Sequence, residues 1–243
     1  MPTILILGAT SDMANAIARK FAEEKYDVQL AARNVDYLKP MINDIKIRYD
    51  VNCTLHPFDA EAFQTHESFY NNLNPKPDVA VCVFGYMKEN EKVVTDLNDT
   101  LKTINTNYTG AVSICNIIAR DFAARKSGTI VGISSVAGER GRQSNYIYGS
   151  AKAGFTAYLS GLRNKLYKSK VHVMTVLPGF VYTKMTEHLQ LPKLLTAQPT
   201  DVANDIYKGV KNKKDVVYTK WYWKWIMMMI KSIPESIFKK KTL

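Results

Sequence analysis

What most limits the possible fold of this chain is a rhythm of short apolar runs, each followed by a longer stretch with helical spacing. The runs are TILIL (3–7), VQLAA (28–32), CTLHP (53–57), VAVCVF (79–84), TIVGIS (129–134), VHVMTVL (171–177) and VVYT (216–219). Helical stretches fall near 13–24, 35–49, 60–73, 96–124, 146–168 and 200–212. Nearly continuous apolar strands need cover on both faces, which alternating helices provide around a parallel sheet. With right-handed crossovers, the expected product is a single doubly wound α/β domain built on a seven-stranded sheet.

Composition narrows the class further. With 243 residues, 46% apolar and 23% charged, the chain can bury a sizeable core, and it matches neither a disordered nor a multi-span membrane composition. Cys53, Cys82 and Cys115 are too dispersed for a disulfide framework or a CxxC zinc site, and His56, His66, His172 and His188 form no HExxH-like cluster. The expectation is a reducing, cytoplasmic setting with no metal. The opening MPTILILGAT lacks a basic leader, and its apolar run is shorter than the ~7–15 residues of a secretory core, so a buried strand is expected there. Charge is lopsided: residues 208–243 carry ten lysines against Asp215 and Glu235, which is +8 of the formal +11.

The first strand runs into GATSDMANAIA (8–18). A small-residue turn between strand and helix presents backbone N–H groups, and the helix N-terminus adds a positive partial charge suited to a pyrophosphate. Gly8, Thr10, Ser11, Asp12 and Met13 are the candidate contacts. Asp12 would repel phosphate unless its carboxylate turns away, and capping the helix is the expected reason that it does. At the end of the second strand, Ala32 and Arg33 offer no acceptor for a ribose 2′-OH, whereas a guanidinium can hold a 2′-phosphate. That favours NADP(H) over NAD(H).

Tyr148 and Lys152 are four apart and so share a helix face, although Tyr207 and Lys211 repeat the same spacing. Context separates the two pairs: Ser135, at a strand end, lies thirteen residues before Tyr148, and Leu194 lies thirteen before Tyr207. INTNYTG supplies Asn107, and LPGFVYT follows the sixth strand.

Taken in order over about residues 3–219, these motifs resemble those of the short-chain dehydrogenases/reductases. The first turn is similar to their GxxxGxG turn, with Gly8 kept and Asp12 and Ala14 at the other two glycines; Cys82-Val83-Phe84-Gly85 keeps only the glycine of their NNAG. The resemblance implies a Rossmann domain over 1–219 and a catalytic tetrad of Asn107, Ser135, Tyr148 and Lys152. It implies adenine contact at Asp59 and cofactor contacts at Gly85, Pro178, Gly179, Val181 and Thr183, with Tyr148 and Lys152 also touching cofactor. A ketone or secondary alcohol is the implied substrate, and a homodimer through the helices carrying Asn107 and Tyr148 is the implied assembly. Protonating the alkoxide left by hydride addition needs a phenol more acidic than its ordinary pKa near ~10, and Lys152 is expected to lower Tyr148 by charge. Ser135 would bond the carbonyl oxygen, and Asn107 would hold a relay water. A different class of reading is a non-catalytic NADP(H)-binding interaction protein, to which the altered turn and lost NNAG point.

The chain continues past the seventh strand with KWYWKWIMMMIKSIPESIFKKKTL (220–243). Its apolar stretch is about half the ~20 residues of a membrane span. Tryptophans beside lysines suit an in-plane anchor on an anionic membrane, making the protein peripheral; a helix packed on the body is the other reading. No basic stripe elsewhere suggests nucleic acid. GATSDMA, VFGYM and this tail are similar to membrane-associated reductases of the decaprenylphosphoryl-2-keto-pentose reductase type, which implies a lipid-linked sugar ketone. The loop 182–199, with Leu189, Leu191, Leu194 and Leu195, is expected to form the substrate lid.

Overall fold

The computed structural model describes residues 1–187 and 190–241. Its strands are β1 (Thr3–Leu7), β2 (Asp27–Ala32), β3 (Cys53–Pro57), β4 (Val79–Cys82), β5 (Thr129–Ile133), β6 (His172–Pro178), β7 (Phe180–Val181), β8 (Thr196–Ala197) and β9 (Val216–Thr219). The helices are α1 (Asp12–Glu23), α2 (Lys39–Tyr49), α3 (His66–Asn71), α4 (Asn90–Thr95), α5 (Leu97–Ile104), α6 (Gly110–Arg125), α7 (Tyr146–Leu166), α8 (Pro199–Lys211), α9 (Trp223–Ser232) and α10 (Glu235–Phe238). Seven strands form one parallel sheet in the order β3-β2-β1-β4-β5-β6-β9, while β7 and β8 pair separately. This is the doubly wound sheet expected from the rhythm of the sequence.

Side chains leave the sheet alternately to its two faces. Ile4, Ile6, Val28 and Leu30 pack with α1, α2 and α8 on one side, and Leu5, Leu7, Ala80 and Ile130 pack with α6 and α7 on the other. The central strands therefore read as unbroken apolar runs because each residue, whichever way it points, meets a helix layer. The chain order reverses between β1 and β4, which opens a crevice at the carboxyl ends of these strands.

Three departures from the sequence reading matter. The helical stretch 96–124 is divided by a π-helical turn over Asn105–Thr109. The stretch 60–73 contracts to a short turn and α3. After β9, α9 and α10 lie against the body, with Trp223 and Met227 buried beside Val136 and Leu177. Of the expected lid, Leu189 lies outside the described residues, as do His188 and the last two residues of the tail.

Candidate active site

Two adjoining cavities form one groove along the carboxyl ends of the strands. The smaller, about 130 Å³, is lined by Gly8, Thr10, Ser11, Arg33, Asp59 and Gly85 among others. The larger, about 400 Å³, takes in Thr10, Ser11, Asp12, Met13, Ser135, Tyr148, Lys152, Pro178, Gly179, Val181 and Thr183. Thr10, Ser11, Phe84, Gly85 and Tyr86 belong to both walls, so the groove is continuous.

Gly8 shapes the entrance. Its φ is +97°, and a Cβ there would lie 2.6 Å from the backbone nitrogen of Phe84, so only glycine lets the turns after β1 and β4 approach so closely. The following helix is capped by Ser11, whose Oγ accepts from the Ala14 N–H at 3.1 Å. This corrects the role expected for Asp12. Its carboxylate instead accepts from the backbone N–H of Lys184 at 2.8 Å, which ties the first turn to the loop after β7 and takes the negative charge off the cap. The Asp59 Oδ1 accepts from the Glu61 N–H at 3.0 Å, which fixes the turn after β3. Arg33 is exposed at the smaller cavity. A groove with backbone brought close at Gly8, a helix N-terminus behind it and a cation at Arg33 fits an extended dinucleotide.

The four catalytic candidates come from three elements. Ser135 follows β5, Tyr148 and Lys152 lie on α7, and Asn107 sits in the π turn, a conformation that often marks functional positions. The hydroxyl of Ser134 donates to the Lys152 carbonyl at 2.9 Å and meets Thr156 Oγ1 at 2.7 Å, pinning α7 to β5. Asn107 is 1% exposed, and its Nδ2 donates to the carbonyls of Tyr86 at 2.6 Å and Thr103 at 2.9 Å. Its Oδ1 accepts from the Tyr86 N–H at 3.3 Å, so Asn107 holds the turn from which the NNAG asparagine is missing. Asn107 Oδ1 and Lys152 Nζ both face Gly85, at 3.0 and 3.7 Å from where a Cβ would stand.

The electrostatics differ from expectation. Lys152 Nζ donates to the Ile133 carbonyl at 3.1 Å and lies 5.7 Å from the Tyr148 ring centre. Burial raises the Tyr148 phenol to about 12, with hydrogen bonding to Ser135 acting the other way. Burial likewise lowers the Lys152 ammonium to about 8. The ammonium was expected to acidify the phenol; desolvation wins instead, because it disfavours the charged form of both groups.

Residues 2–193 match the short chain dehydrogenase family. The chain belongs to that family. This short-chain dehydrogenase is 30% identical over 240 residues to an uncharacterized oxidoreductase of Mycobacterium tuberculosis, covering 98% of this chain and 96% of that protein. It is 24% identical over 208 residues to the carbonyl reductase family member 4 of Xenopus laevis, covering 83% and 87%. Its fold is similar to that of a short-chain dehydrogenase from Sphingobium yanoikuyae solved in complex with NADPH, with a TM-score of 0.82 at 20% identity over 97% of this chain and 98% of the other. It is an oxidoreductase of the kind that uses a nicotinamide cofactor.

Sequence reasoning missed several residues of this dehydrogenase's groove. Tyr86, Phe180 and Met185 line the larger cavity with Arg142 and Asn145, and Lys102 lines the smaller. Asn145 was within reach, since it stands three residues before Tyr148 and so near the same helix face. Tyr86, Phe180 and Met185 also stand within two residues of the expected contacts Gly85, Gly179 and Thr183, whereas Lys102 and Arg142 carry no spacing signal and meet the groove only through tertiary packing.

Proposed function

We propose that this dehydrogenase reduces a ketone to a secondary alcohol at the expense of NADPH. The observation that carries the proposal is the convergence of Ser135, Tyr148 and Lys152 on one cavity beside a groove suited to a dinucleotide. The cofactor, when bound, supplies hydride. Gly8, Thr10, Ser11 and Met13 would hold its phosphates, and Pro178, Gly179, Val181 and Thr183 its nicotinamide end. Ser135 donates a hydrogen bond to the ketone oxygen, and Tyr148 transfers its proton to that oxygen as charge develops there. Asn107 and Lys152 face the same glycine and together supply the path that returns a proton to the phenol. Arg33, with no carboxylate beside it at the end of β2, supports NADPH over NADH.

The substrate has a bulky apolar part, in keeping with Val136, Phe180, Met87 and Met185 in the cavity wall, and a ketone on a lipid-linked sugar suits it. The tail adds to this reading. With Trp223 and Met227 buried, Trp221, Trp225, Met228 and Met229 face outward among lysines, as an in-plane contact with the cytoplasmic surface of an anionic membrane requires. The exposed Leu97, Leu101, Tyr108 and Tyr146, on or beside α5, α6 and α7, support a homodimer formed through those helices. NADPH consumption across a ketone panel that includes polyprenyl-phosphate keto sugars tests the assignment. Turnover of bulky ketones supports it, and consumption with none of them refutes it.

A further inference from the structure

The substrate cavity contains a cation that hydride transfer does not use. Arg142, in the loop between Ser135 and α7, lines the larger cavity and not the smaller one at Arg33, which puts it with the ketone rather than with the adenosine end. Its Nη2 lies 3.3 Å from the Met227 thioether sulfur, a weak acceptor, and its buried Nε has no hydrogen-bond partner among the described residues. The buried Oδ1 of Asn145, in the same wall, likewise has no hydrogen-bond partner among the described residues. Glu139, the acid whose charge acts on Arg142, accepts at Oε1 from the Tyr218 hydroxyl at 2.9 Å and from Lys231 at 2.8 Å, and its buried Oε2 has no hydrogen-bond partner among the described residues.

A second arginine in the same loop shows what a guanidinium does here when its work is structural. Arg140 donates to the carbonyls of Ile230, Lys231 and Ile233 at 2.8–3.1 Å, pairs with Glu235 at 2.8 Å and stacks on Phe238 at 3.9 Å. It clamps the loop to the end of α9 and so holds Arg142 in place. Arg142, by contrast, sets Nη2 on a weak sulfur acceptor and leaves Nε unpartnered among the described residues. A buried donor without an acceptor is costly, and a planar guanidinium fork fits a carboxylate or phosphate.

We propose that the substrate carries an oxyanionic group, a carboxylate or a phosphate, which Arg142 receives in the cavity wall while the ketone faces Tyr148. The substrate assignment builds on the ketone-reductase reading above. The test uses matched aryl ketones: 3- and 4-acetylbenzoate, their methyl esters, and the 3- and 4-acetylphenyl phosphates. Calorimetric binding to the full-length protein loaded with NADP⁺ reads affinity, and NADPH oxidation reads turnover. An anionic member should bind roughly 10- to 100-fold tighter than its ester. Arg142→Gln should remove most of that ratio, and Arg142→Lys should keep part of it; the preferred anion distinguishes carboxylate from phosphate. Esters that bind as tightly as the anions in the wild-type protein, or a preference that survives in Arg142→Gln, overturns the proposal. If the anions bind preferentially and no ketone is reduced, the ketone-reductase reading fails while the Arg142 assignment stands.

Discussion

Desolvation works against charge at both Tyr148 and Lys152. Lys152 is 4% exposed and its ammonium is lowered to about 8 from an ordinary 10.5. Between those two values the unfolded chain holds a proton that the folded chain has given up, so stability rises with pH across that window; below about pH 8 the cost of burying the ammonium is fully present. Lys152→Met should therefore raise the melting temperature of the cofactor-free protein at pH 7 while abolishing turnover, and the gain should shrink towards pH 10.5; an equal gain at both pH values contradicts the burial account. At the other end of the groove, Arg33→Asp should shift the preference from NADPH towards NADH by roughly 10-fold or more in kcat/KM, the worth of a charge-assisted hydrogen bond; an unmoved ratio removes Arg33 from cofactor selection. The four catalytic candidates could be picked out of the sequence because each stands at a fixed spacing within a motif. The contact made by Asp12 could not, because its partner is the backbone of Lys184, 172 positions away, and no local pattern reveals it. The sign of the Tyr148 shift was hidden for a similar reason: a neighbouring lysine is visible in the sequence, and desolvation is not.

At the level of elements, α9 is where the sequence was hardest to read. WYWKWIMMMI is apolar nearly all round, so periodicity could not say which face is buried. Packing resolves it at spacing four, with Trp223 and Met227 turned inward. The Trp223 indole donates to the Leu195 carbonyl at 3.1 Å, and the Tyr222 hydroxyl donates to the Leu194 carbonyl, so the tail holds the end of the loop 182–199. The indole also occupies the space beside Gly179, where a Cβ would lie 1.9 Å from its nitrogen. Trp223→Ala should cost about 3–5 kcal/mol of stability and raise KM more than it lowers kcat, read by denaturant unfolding and steady-state kinetics. A loss of stability with unchanged KM would confine the residue to packing. The central strands β1, β2, β4, β5 and β6, by contrast, were legible to within one or two residues, because full burial on two faces leaves a continuous apolar signature, whereas the two-residue strands β7 and β8 leave none. The break between α5 and α6 was not: a π turn adds one residue to a helix without changing its composition.

Across the whole molecule, the tail packs on the body beside the end of the loop after β7, and residues 208–243 carry +8 of the formal +11. None of the helices among the described residues is long and apolar enough to cross a membrane. Surface contact is the mode that the outward tryptophans and lysines support. Replacing Trp221, Trp225, Met228 and Met229 with serine leaves the buried Trp223 and Met227 in place, unlike deletion of the tail. That variant should sediment with anionic vesicles several-fold less than the wild-type protein, whose own binding should weaken with salt; equal pelleting rejects the membrane contact. The overall architecture was readable from the sequence because alternation of strand and helix leaves few topologies; the shape of the cavity was not, because residues distant in the chain, such as Arg142 and Phe180, build it together. The most direct test of the account is Tyr148→Phe, with NADPH binding followed by fluorescence and ketone reduction by NADPH oxidation. The account predicts retained NADPH binding with reduction slowed by roughly 10²- to 10⁴-fold. Reduction at the wild-type rate would contradict it, since some other group would then be delivering the proton.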